Sequence, residues 1–145
     1  MTSYLPQIPE LKLIGVFDAG KPRLERIVLK VEQQLDIGCY ALALAMRAQP
    51  AGAAQPLPDS LFWIGSGIVD PNDWFFIYTG AGSKTMFPAE GAHGKLFIEF
   101  WGRDVTVFHD SQIVPVLWRL SGVTIERVDP PLPSLGPSNS LTYNV

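Results

Sequence analysis

The chain has 145 residues, of which 47 % are apolar and 17 % charged, and carries a formal net charge of -3. Such a composition is too apolar for intrinsic disorder, and its acidic balance leaves no basic face on which nucleic-acid phosphates would concentrate. The length predicts one domain with a core large enough to fold without staples, and a single cysteine, Cys39, excludes an internal disulfide.

The first nine residues lack the basic and apolar regions of a signal peptide. No run reaches the length of a membrane span. A cytoplasmic protein, or a component of an assembled particle, is expected. The apolar fraction exceeds what filling a core requires and points to self-association or a protein partner.

Residues 1–10, MTSYLPQIPE, contain two prolines and read as an extended arm. Leu11 to Phe17 reads as a first strand, closed by Asp18-Ala19-Gly20-Lys21-Pro22. Arg26 to Glu32 alternates: Ile27, Leu29 and Val31 share one face, while Arg26, Lys30 and Glu32 share the other with Val28. That is the pattern of a half-buried antiparallel strand. Lys21-Pro22-Arg23 with Arg26 is the only local basic cluster and reads as a solvated loop and strand edge. After a turn at 33–38, Tyr40, Leu42, Leu44 and Met46 oppose Ala41, Ala43 and Ala45. Alanine favours helix, but strict period-two alternation favours a strand. Cys39 belongs to the alanine set and is expected to be a small packed thiol, with no neighbour that would make it a thiolate.

Residues 48–60 hold three prolines and form a surface loop, with Leu57 dipping inward. Leu61 to Ile64 and Trp74 to Thr79 are strands separated by Gly65-Ser66-Gly67 and Asp70-Pro71-Asn72-Asp73, whose glycines and proline interrupt any helix. Residues 80–94 form a second long loop, with Met86 and Phe87 as anchors. In Lys95 to Trp101, Leu96, Ile98 and Phe100 oppose Phe97 and Glu99. A tight turn at Gly102-Arg103-Asp104 then leads into a strand, Val105 to Phe108. The strand Ile113 to Trp118 contains Pro115, which cannot donate to a ladder, so it must be an edge or carry a bulge. Gly122 precedes a last strand, Val123 to Glu126, and residues 129–145 are a proline-rich tail. The prediction is therefore all-β: an antiparallel immunoglobulin-like β-sandwich of about seven to nine strands over residues 11–128.

Four segments carry a resemblance. They are Glu25 to Lys30 followed by Leu35 to Leu42; Pro56-Leu57-Pro58-Asp59 before a strand; Ile68 to Gly80 with its Tyr78-Thr79-Gly80 ending; and Trp101 to Asp110. Their order, over roughly residues 24–120, resembles the lamin-tail domain, an immunoglobulin-like sandwich. Asn72-Asp73 stands where that family usually has Gly, and Ala45-Met46 replaces its Arg-Asp. The resemblance implies an interaction or scaffold role and carries no catalytic residues.

Chemistry-bearing motifs are sparse. Asp104, His109 and Asp110 flank one predicted hairpin and are the residues a small metal-dependent hydrolase would use, although turn aspartates more often satisfy backbone amides. Gly65-Ser66-Gly67 lacks nucleophile-elbow spacing, and Gly80-Ala81-Gly82-Ser83-Lys84-Thr85 lacks both the glycine spacing and the following helix of a phosphate loop. No catalytic, cofactor-binding or metal-ligating residue is assigned and no cofactor is expected. The candidate interaction surface is aromatic: Trp63, Trp74, Phe75, Tyr78, Trp101 and Trp118. Trp74 and Phe75 are adjacent on a strand and must face opposite ways. The functional expectation is a non-catalytic interaction or scaffold module that self-associates or binds a protein partner. The alternatives are a structural component of a phage or secretion particle, a glycan- or peptide-binding domain, and the small hydrolase above.

Overall fold

Period-two alternation fixes the strands that anchor the molecule. In a computed structural model describing residues 7–48, 53–127, 129 and 131, eleven strands form with no α-helix among the described residues. They are β1 (Leu11–Phe17), β2 (Arg26–Val31), β3 (Leu35–Asp36), β4 (Tyr40–Ala48), β5 (Ala53–Pro56), β6 (Phe62–Trp63), β7 (Ile68–Val69), β8 (Trp74–Tyr78), β9 (Thr85–Phe87), β10 (Leu96–Phe100) and β11 (Ile113–Arg119). One sheet has the order β1-β2-β8-β10-β9. A second runs β11-β4-β5, with β6 pairing the same β4 further along, and β3 pairs β7 in a small ribbon. One core cluster joins Ile27, Leu29, Phe75 and Ile77 of the first sheet to Tyr40, Leu42 and Leu44 of the second. Each such side chain removed from water contributes about 1.5–3 kcal/mol before entropy is counted.

The facing expected in β2 and β4 is present, with Ile27, Leu29, Val31, Leu42 and Leu44 buried in the core, but burial does not alternate with it: Val28 and the β4 alanines on the opposite faces are buried as well. Leu57 packs against the core from its loop. The strand containing Pro115 lies at the edge of its sheet. Ile8 packs on the core, and Glu10 bonds to the Tyr40 hydroxyl and to Arg119 Nη1, the latter at 2.6 Å. Burial and the Glu10 carboxylate push the Tyr40 phenol up to about 12. The rest of the predicted arm and tail, residues 1–6 and nearly all of 128–145, lies outside the described residues, as does the loop at 49–52.

Several expectations are corrected. The sheets are mostly antiparallel, but β8 and β10 run parallel, in register from Trp74 with Leu96 to Tyr78 with Phe100. Asp73, 2 % exposed, starts both strands together: it accepts from Asp70 N at 2.9 Å and Lys95 N at 2.8 Å, and its carboxylate lies 3.3 Å from Lys95 Nζ. Gly94 allows this approach, since a Cβ there would overlap the Asn72 carbonyl. Residues 79–95 supply the long connection that a parallel pair requires.

The predicted strand at Val105 to Phe108 is absent because its amides are taken elsewhere. Val107 N and Phe108 N both donate to the buried Glu25 carboxylate at 2.8 Å. Val123 to Glu126 also forms no strand; the ladder ends where Leu120 N donates to Cys39 O. Met86 and Phe87 are exposed rather than anchoring, because they sit on β9 at the open edge of the first sheet. Cys39 is exposed too: it ends a 3-10 turn (Ile37–Cys39) and so precedes the alternation of β4 instead of sharing it.

Candidate functional site

Strand register sorts the outer face of the first sheet into three rows across the strands. The first runs Lys12, Lys30, Trp74, Leu96, Phe87; the second runs Val28, Phe76, Ile98, Thr85; the third runs Phe17, Arg26, Tyr78, Phe100. Directly opposed side chains on one face touch, and Tyr78 stacks on Phe100 with ring centroids 5.4 Å apart. The result is a continuous apolar and aromatic face turned away from the core. Phe17 and Phe87 are exposed at its two margins, and Trp74, Phe76, Tyr78, Leu96, Ile98 and Phe100 are half-buried against one another.

Its charges are confined to the β1–β2 side. The Arg26 guanidinium lies 5.6–5.8 Å from the rings of Phe17, Phe76 and Tyr78, and Lys30 Nζ lies 5.6 Å from the Trp74 ring. Such cation–π contacts hold long side chains flat on the sheet. Arg26 is also paired with Asp18 at 2.7 Å. That hydrogen bond, with help from Lys21, holds the Asp18 carboxyl below the usual carboxylate range. The β8–β10–β9 half of the face carries apolar side chains and Thr85.

The outer face of the second sheet has a different shape. The alanines of β4 form a floor, and Ala41 lies between Trp63 of β6 and Trp118 of β11. Both tryptophans are exposed, at 42 % and 44 %, while Ala41 beneath them is buried. Trp63 Nε1 donates to Gly38 O at 3.0 Å, which fixes the ring.

The six aromatics singled out from the sequence therefore divide three ways. Trp74 and Tyr78 share the outer face of the first sheet, and Trp63 and Trp118 flank the alanine floor of the second. Phe75 points inward, 3 % exposed, stacked on Phe97, and Trp101 stacks on Phe62 at 5.0 Å beside the core. Neither Phe75 nor Trp101 belongs to an outer platform. Sequence reading missed Phe76, Leu96, Ile98 and Phe100: alternation within β8 put Phe76 on the face of Trp74, but only the β8–β10 register brings Leu96, Ile98 and Phe100 onto it.

The hydrolase residues do not converge. His109 Nδ1 lies 2.8 Å from Thr106 O, and Asp110 Oδ1 accepts from Gln112 N at 2.9 Å, so each serves its own turn. Among the described residues no three His, Cys, Asp or Glu side chains are grouped for a metal ion. No described helix is long and apolar enough to cross a membrane. No family model, curated protein or solved structure matches the chain.

Proposed function

We propose that this protein is a non-catalytic interaction module that self-associates through the outer face of its first sheet. One observation carries the reading: Trp74, Phe76, Tyr78, Leu96, Ile98 and Phe100 form an unbroken apolar block whose cations all come from β1 and β2, with Arg26 and Lys30 reaching only its β8 rings. A two-fold axis near β10 would lay the apolar half of one copy on that of another and leave Lys12, Lys30 and Arg26 at opposite rims. Such a face is self-complementary, as a closed dimer requires, and two sheet faces pack readily at a small angle. We take the two sheets to form an immunoglobulin-like sandwich, a reading supported by their shared core. The resemblance to the lamin-tail domain points the same way, towards a scaffold.

Ile98→Lys places a charge at the centre of the apolar block without touching the core. Light scattering is expected to give a dimer for the unmodified chain and a monomer for the variant, which keeps the folded circular-dichroism spectrum and loses in its thermal melt only the stabilisation that association supplied. An unmodified chain that is monomeric at every concentration would overturn the proposal, and masses well above a dimer would favour the particle-component reading.

A second reading has its own observation. Two exposed tryptophans across a flat alanine floor suit a short glycan or an extended peptide, whose apolar faces stack on indole rings. Trp63→Ala and Trp118→Ala would each abolish retention on a glycan or peptide array if that reading holds.

A further inference from the structure

Glu25, Asp73 and Glu99 are carboxylates on the inner side of the first sheet or its ends, and two of them have a full set of partners. Glu25 accepts from Gly20 N, Thr79 Oγ1, Val107 N and Phe108 N at 2.5–2.8 Å. Asp73 holds Asp70 N, Lys95 N and the Lys95 ammonium. Glu99, on β10, has none: it makes no hydrogen bond or ion pair with another described residue, and only the Lys84 charge acts on it from a distance. It is half-buried, and period two places it on the same face as Phe97, which packs against the core.

Glu99 opens onto a groove of about 390 Å³ shared with Ile37, Ile64, Phe75, Lys84, Met86 and Phe97. Its volume lies within the roughly 300–1,000 Å³ of small-molecule sites. Phe75 and Phe97, stacked at 4.8 Å, form a flat apolar wall. A carboxylate half-withdrawn from water beside such a wall is costly to desolvate further without a donor, and partial burial pushes the Glu99 carboxyl above its ordinary value while the Lys84 charge opposes the shift. The chemistry that matches the groove is then narrow. A neutral hydrocarbon would desolvate the carboxylate without giving it a donor, and an anion would reach Lys84 only by facing Glu99 as well. A cationic donor on an apolar stem satisfies both parts.

We infer that this groove binds a small apolar primary amine, its ammonium donating to Glu99 and its hydrocarbon lying against Phe75 and Phe97. This site is separate from the outer face and does not depend on self-association. The test is calorimetric titration of the full chain with 2-phenylethylamine and hexylamine, with 2-phenylethanol as the neutral isostere, alongside backbone amide NMR. Saturable one-to-one binding of the amines is expected, with the largest shifts on β8 and β10. The alcohol should bind roughly tenfold more weakly, the ratio expected of one charge-assisted hydrogen bond. Glu99→Gln should weaken amine binding by a similar factor and leave the alcohol unaffected. The variant is isosteric and removes a desolvated charge, so it keeps the fold. Equal amine binding by Glu99→Gln, amide shifts clustered away from β8 and β10, or no saturable binding of either amine would overturn the inference.

Discussion

At the scale of residues, Glu25 and Glu99 show how the same side chain acquires opposite energetics. Burial raises the Glu25 carboxyl, but donors from Thr79, Val107, Gly20 and Phe108 outweigh it and leave the group below its ordinary value. A carboxylate depressed in the folded state adds stability above the ordinary carboxylate range and loses it as pH falls through the folded value. Glu25→Gln retains one acceptor oxygen but sets an amide against backbone N–H groups. It should cost about 2–4 kcal/mol at neutral pH, a loss that denaturant titration would show shrinking in acid. For Glu99 the sign reverses. Its raised folded value means that stability falls as pH rises from the unfolded value through the folded one. Glu99→Gln should therefore raise the melting temperature at about pH 7 and leave it unchanged near about pH 3, where both states are protonated. A lower melting temperature at neutral pH would show that Glu99 has a stabilising partner. A residue that costs stability where it stands is the kind retained for binding.

At the scale of elements, the ladder explains both what could be read from the sequence and what could not. The strands β2, β4 and β10 were legible because each alternates across a face, and β8 and β11 because each is an apolar run bounded by turn residues; both signals are local. Val105 to Phe108 looked like a strand for the same reason, yet its amides are captured by Glu25, some eighty positions earlier in the chain, which no local pattern reveals. The parallel pairing of β8 with β10 depends likewise on Asp73 meeting Lys95 across a loop. Of the six candidate aromatics, parity separated Trp74 from Phe75 but could not say which faced out, because that choice is made by the opposite sheet. Pro115 was legible in full. Leu44, opposite it, directs its N–H and C=O to Ser60 Oγ and Leu57 N on the other side of β4, so Pro115 removes a donor from the free edge and none from the ladder. Pro115→Val should then change stability by under about 1 kcal/mol while exposing a new edge donor of the kind that promotes strand addition. Turbidity at high concentration should rise relative to the unmodified chain; an unchanged aggregation rate would show that the edge is protected by something other than Pro115.

At the scale of the whole molecule, two sheets share one core and present two unlike outer faces: a broad aromatic block with cations at one side, and an alanine floor between tryptophans. A chain with 47 % apolar residues fills its core and still has enough left over for both. The proposed self-association through the aromatic block would use the larger surplus and would leave the tryptophan floor and the Glu99 groove open on each copy. The central claim is the two-fold axis near Ile98, and the most direct test is charge complementation. Ile98→Lys and Ile98→Glu are prepared separately, and their solution masses are measured by light scattering alone and after mixing. The account predicts a dimer for the unmodified chain, a monomer for each variant alone, and a dimer for the mixture, in which opposite charges meet across the axis. An unmodified chain that stays monomeric, variants that still dimerise alone, or a mixture that remains monomeric would each contradict it.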